Sequence, residues 1–127
     1  MASVIRAITV DCANPARLAE FWAAALDYKL QEADDEGALI VDSRHQGTRM
    51  LFLKVPEGKA VKNRVHLDLG PTDTHDAEVD RLLKLGARVF KSFRENNSGW
   101  TVMQDPEGNE FCVESGMQEL KGRGQAE

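Results

Sequence analysis

The chain repeats itself. Laid over the segment that begins near Arg64, the opening segment matches at an offset of 59 residues: IRAITVDCANP, Ile5 to Pro15, against VHLDLGPTD, Val65 to Asp73. Ile8 and Val10 then fall on Leu67 and Leu69, and Asn14 on Asp73. Each copy reads as an alternating strand running into a helix cap. After Asn14 comes Pro15 at the first helical position, then Leu18, Phe21, Trp22, Ala25 and Leu26 at helical spacing. After Asp73 the spacing predicts a second helix with Val79, Leu82 and Leu83 on one side, Asp76 in its first turn and Gly86 ending it.

Three strand-like stretches follow each helix. They are Lys29 to Ala33, Ala38 to Asp42 and Arg49 to Val55 in the first copy, and Arg88 to Phe93, Gly99 to Gln104 and Glu110 to Ser115 in the second. Turn chemistry separates them, at Asp34 to Gly37, Ser43 to Gly47, Asn96 to Gly99 and Asp105 to Asn109. The order is βαβββ twice, an α+β chain. Half of 127 residues buries too little surface to stand alone, so one domain built of two modules, about 4–55 and 64–115, is expected. Residues 56–63 form the linker, and 116–127 a polar tail.

Composition narrows the function. With 42% hydrophobic and 29% charged residues the chain should fold, and a formal charge of −5 without any Lys/Arg cluster argues against a nucleic-acid partner. No apolar stretch is long enough to cross a bilayer and no basic leader opens the chain, so no membrane partner and a cytoplasmic location are expected. Cys12 and Cys112 form no CxxC pair and are read as free thiols.

Strand periodicity gives the candidate site. Val65, Leu67 and Leu69 should meet the helices, leaving His66 and Asp68 on the other face, with Ala7, Thr9 and Asp11 as their first-copy counterparts. On the last strand Cys112 and Glu114 share a face. His66 and Asp68 are separated by one two-residue strand step, about 7 Å between Cα atoms. A carboxylate so placed can orient an imidazole for proton transfer or for metal binding.

NPARLAEFWAAAL after the first strand, KNRVHLDL opening the second half and WTVMQDPEGNEFCVE near the end resemble the vicinal oxygen chelate superfamily. Within it they resemble the glyoxalase-like group, related to glyoxalase, bleomycin-resistance proteins and extradiol dioxygenases. The resemblance implies two βαβββ modules whose sheets curve into an open, barrel-like cavity with helices outside, and a homodimer. In the metal-dependent members it further implies a divalent ion that polarises the substrate. Carried over, the ligand positions fall on Ala7, Leu53, His66 and Cys112, of which only His66 is a good ligand.

The expectation is therefore a small-molecule-binding protein without the family's metal centre. His66 is the candidate catalytic residue, and Asp68, Thr9, Asp11, Phe52, Trp100, Met103, Cys112 and Glu114 are candidate ligand contacts. The alternative is a lyase, isomerase or epimerase using His66 as base or as ligand of a rearranged divalent ion. Cys112 as a nucleophile is a weaker third idea, since no base can be placed beside it.

Overall fold

The computed structural model describes residues 1–95 and 98–117. The predicted turn at Asn96-Asn97 and the tail from residue 118 lie outside the described residues. The chain divides into two compact units, Met1–Ala60 and Val61–Glu127. Each contains one helix and one four-stranded mixed sheet, the α+β pattern of two βαβββ modules.

In the first unit β1 (Ala7–Cys12) leads into α1 (Pro15–Leu26), followed by β2 (Tyr28–Ala33), β3 (Gly37–Asp42) and β4 (Arg49–Lys54). The sheet order is β1-β4-β3-β2, with β1 parallel to β4 and the other pairs antiparallel. Asn14 caps α1 by accepting the Arg17 amide at 3.2 Å, and Pro15, which has no amide to satisfy, takes the first helical position. The apolar stripe is buried as its spacing predicts: Leu18, Phe21, Trp22 and Ala25. It packs on the sheet face carrying Ala38, Ile40, Met50 and Phe52, all buried and cross-strand neighbours by register.

In the second unit β5 (Asp68–Leu69), α2 (His75–Leu85), β6 (Arg88–Glu95), β7 (Ser98–Gln104) and β8 (Glu110–Val113) give the order β5-β8-β7-β6, again with the first strand parallel to the last. Both sheets bulge at corresponding places, between Leu30 and Glu32 and between Val89 and Lys91, which are 59 residues apart. The duplication thus extends to an irregularity that hydropathy alone does not display.

Several details differ from the sequence reading. The cap of α2 is Thr74, whose hydroxyl accepts the Ala77 amide at 3.1 Å, while Asp73 accepts from the Thr74 amide instead. The opening strand of the second unit is two residues long, and Val65, expected to meet the helix, is 79% exposed. Leu83 is exposed as well; His75 and Leu82 carry the buried side of α2.

The 59-residue alignment also slips on this strand. The Val55 amide donates to the Cys12 carbonyl, and the Glu114 amide to the Leu69 carbonyl. Val55 and Glu114 are 59 residues apart, but Cys12 and Leu69 only 57. His66 therefore corresponds to Thr9 and Asp68 to Asp11, not His66 to Ala7. A slip of two leaves every side chain on its expected face, because strand faces alternate with a period of two. Extra chain between Leu69 and the cap of α2, including Pro71, absorbs the difference.

Candidate functional site

The ladder of the second unit sets the site. Asp68 pairs with Cys112, Cys112 with Val102, and Trp100, two residues before Val102, pairs with Phe93. Paired residues share a face, so these five side chains lie on one side of the sheet. Thr101, Met103, Phe111 and Val113 lie on the other, with α2. Trp100 and Met103 thus stand on opposite faces. Met103 and, in the first unit, Phe52 are fully buried, which makes them core side chains rather than walls of an open site.

His66, just ahead of β5, places Nε2 at 3.2 Å from Asp68 Oδ1, both residues being exposed. Cys112 completes a triangle: one donor atom from each of His66, Asp68 and Cys112 lies within 4.8 Å of the others. Burial pushes the Cys112 thiol up, and the charges of Asp68 and Glu114 push it further, while Lys62 opposes them. A raised thiol holds its proton at neutral pH, which works against the nucleophile reading. Glu114 is exposed just beyond the end of β8.

Beside this cluster the sheet carries an aromatic stack. Phe93 and Trp100 lie parallel with centroids 4.8 Å apart, and Lys91 Nζ stands 5.0 Å from the Phe93 centroid. Trp100 remains 41% exposed, so one aromatic surface is available to a planar partner. Lys91 lies two residues before Phe93, past the bulge, and pairs with Val102, so it shares this face.

In the first unit, Thr9 and Asp11 are exposed on β1 and pair with Leu51 and Leu53. An open cleft of about 320 Å³ is lined by Leu39, Leu51 and Leu53 with Glu32, Asp34 and Glu36 among its other walls. Its floor is apolar and offers no imidazole or thiol.

A third polar arrangement escapes sequence reading. His75, at the start of α2, touches Asp76 Oδ1 through Nδ1 at 2.8 Å and Thr101 Oγ1 through Nε2 at 2.9 Å. The chain of acid, imidazole and hydroxyl has the form of a hydrolytic triad, but Thr101 is only 2% exposed and lies under the helix. It tethers α2 to β7.

A family model described as "Glyoxalase-like domain" matches residues 7–114, which covers both units. The chain belongs to the glyoxalase-like domain family. Among solved structures, this glyoxalase-like chain is similar to a glyoxalase/bleomycin resistance protein/dioxygenase family enzyme from Burkholderia phytofirmans PsJN, at 15% identity and a TM-score of 0.68, covering 87% of this chain and 97% of that one. It is also similar to the fosfomycin resistance protein FosX from Mesorhizobium loti, at 16% identity and a TM-score of 0.71, covering 97% and 98%. FosX from Listeria monocytogenes, solved with Mn(II) and sulfate ion, gives 12% identity and a TM-score of 0.70 over 97% and 99%. At these identities the likeness shows the fold. No curated protein matches.

The Listeria FosX structure holds Mn(II), and the donor set of this chain decides which ion its own residues would suit. One imidazole, one carboxylate and one thiol make a mixed N, O and S set, suited to a borderline cation such as zinc. They do not make the oxygen-rich octahedral shell that manganese or magnesium takes.

Proposed function

We propose that this glyoxalase-like protein binds a small molecule in the cytoplasm, as a homodimer, on the sheet face that carries His66, Asp68 and Trp100, without the family's oxygen-rich metal centre. The observation that carries the reading is the shared face itself. A hydrogen-bonded imidazole and carboxylate stand on the same surface as a half-exposed, stacked indole. The first supplies two directional polar anchors and the second an apolar wall, the combination by which small-molecule sites fix orientation. Taken by itself, the first unit carries Thr9 and Asp11 at the corresponding strand positions, but Leu53 where the second unit has Cys112.

The test is a thermal-shift panel of 2-oxo acids and planar aromatic acids against wild type, His66→Ala and Trp100→Ala. A ligand at a hundred times its dissociation constant should stabilise the wild type by about 2.7 kcal/mol. The same ligand should do much less for either variant. Equal stabilisation of all three would refute the assignment of this face. Sedimentation at micromolar concentration measures the dimer.

The triangle of His66, Asp68 and Cys112 favours a second reading, an enzyme of lyase, isomerase or epimerase type. With a cation bound there, His66, Asp68 and Cys112 would hold it, and the ion would supply Lewis acidity. Without one, Asp68 orients His66 as a general base. Elemental analysis of protein purified without chelator separates the readings. A stoichiometric divalent ion, removed by EDTA together with a measurable turnover, would replace the first by the second.

A further inference from the structure

The β3–β4 loop of the first unit and the start of β1 enclose an open cleft of about 340 Å³, lined by Ile5, Arg6, His45, Gln46, Thr48 and Arg49 among others. From this geometry we infer a second ligand site, for a dianionic oxyanion, carried by Arg6, Arg49 and His45. It is independent of the reading of the His66 face, since all of its lining belongs to the first unit.

Arg49 opens β4 opposite Ala7, the residue after Arg6, and Arg49 Nε donates to the Arg6 carbonyl at 3.2 Å. Among the described residues neither guanidinium has a carboxylate partner, although acids outnumber bases in this chain. Both residues line the same cleft, where an anion can join the two positive charges. The acid in the lining cannot do so. Asp42 Oδ1 takes the Arg44 amide and Arg44 Nε, and Oδ2 takes the amides of Gln46 and Gly47. The charge left over in the cleft is positive.

Geometry supports the same conclusion. The Asp42 bonds fix the loop from within, and Tyr28 donates its hydroxyl proton to the Thr48 carbonyl at 2.9 Å. A Cβ at Gly47 would collide with the Tyr28 hydroxyl, so a larger residue there would have to displace it from the Thr48 carbonyl. His45 is held at φ 58, a left-handed conformation unusual for a side chain other than glycine. The loop is thus ordered before any ligand arrives, which lowers the entropy cost of binding. Two guanidinium forks suit the paired oxygens of a phosphate or carboxylate group.

The experiment titrates the full-length, isotopically labelled protein with inorganic phosphate, with succinate and with chloride at matched ionic strength, following amide resonances. Saturable shifts at Gly47, Thr48 and Arg49 with phosphate or succinate, but not with chloride, are expected. The tighter of the two identifies a phosphoryl or a carboxylate ligand. Arg6→Gln should weaken binding about tenfold, the loss of one charge-assisted pair. Arg49→Lys, which keeps the charge and loses the fork, should also weaken it. Among the described residues the Arg6 side chain has no hydrogen-bond or ion-pair partner, so Arg6→Gln should unfold like wild type in chloride. Shifts that chloride reproduces, an affinity indifferent to Arg6→Gln, or shifts centred on His66 and Asp68 would overturn the inference.

Discussion

Replacing Asp105 by alanine should destabilise the second unit more than its place in a surface turn suggests. The side chain is 1% exposed and acts as the hub of the β7–β8 connection. Oδ1 accepts the amides of Glu107 at 2.9 Å and Asn109 at 3.0 Å, and the Asn109 side-chain amide reaches both carboxylate oxygens. Backbone bonds from Asp105 to Asn109 and from Gly108 to Asp105 close the turn, with Gly108 at φ 89. The register that follows, Gln104 opposite Glu110, leads to Cys112 opposite Asp68. The turn therefore positions the candidate site as well as the strand.

Two backbone amides bonded to a charged acceptor contribute about 1.5 kcal/mol each, so alanine should cost about 3 kcal/mol. Asparagine keeps the Oδ1 acceptor but sets an amide donor against the Asn109 donor, and should cost about half as much. Urea unfolding followed by circular dichroism measures both. With a slope of about 1.5 kcal/mol per molar, the midpoint should fall by about 2 M for alanine and about 1 M for asparagine, the slope itself unchanged. A midpoint for Asp105→Ala within about 0.3 M of wild type would refute the reasoning. So would an asparagine variant as unstable as the alanine one, since the argument rests on which acceptor survives.

Three further outcomes follow from the same geometry. The Arg44 amide holds the Asp42 carboxyl below the usual carboxylate range, with burial opposing and the Gly47 and Gln46 amides assisting. Its stabilisation is complete above about pH 4, the unfolded carboxyl value, and is lost as pH falls through the folded one. The melting temperature of Asp42→Asn should therefore change less than that of wild type as pH falls below 4. Cys112, its thiol pushed up by burial and by Asp68 and Glu114, should be alkylated by iodoacetamide only slowly until the pH passes the ordinary thiol range. Peptide mapping should show an earlier onset in Asp68→Asn. Thr101→Val removes the buried hydroxyl bonded to His75 and should cost about 1–3 kcal/mol by urea unfolding, with no effect on ligands of the His66 face.

The fold was largely legible because the two periods that carry it are clean. The stripe of Leu18, Phe21, Trp22 and Ala25 has no competing pattern, and the helix it predicts is buried along those residues. The second helix is mostly polar, so Leu83 could be assigned inward by hydropathy although His75 occupies the buried side. The strands after each helix were bounded by turns whose residues have a mechanism, and Asp105 to Asn109 marks the boundary of β8 within a residue. β5 was overestimated because alternation requires only side chains. A ladder requires a partner backbone, and the chain ahead of it is held differently: the Asn63 amide bonds the Glu110 carboxylate.

The candidate site was legible to the same depth and no further. Face assignments depend on parity, and the two-residue slip that moves the counterpart of His66 from Ala7 to Thr9 preserves parity; Asp68 and Cys112 therefore meet where alternation placed them. What parity cannot supply is the choice between residues three apart, which is why Trp100 and Met103 were grouped although the pleat sends them to opposite faces. Nor can it show charges brought together by loops. Arg6 and Arg49 are 43 residues apart in the chain and become neighbours only through the parallel pairing of β1 with β4. Sequence reading is thus strongest where function lies along one strand and weakest where a crossover assembles it. The arginine cleft tests that distinction, because Arg6 stands just ahead of β1 while Arg49 opens β4.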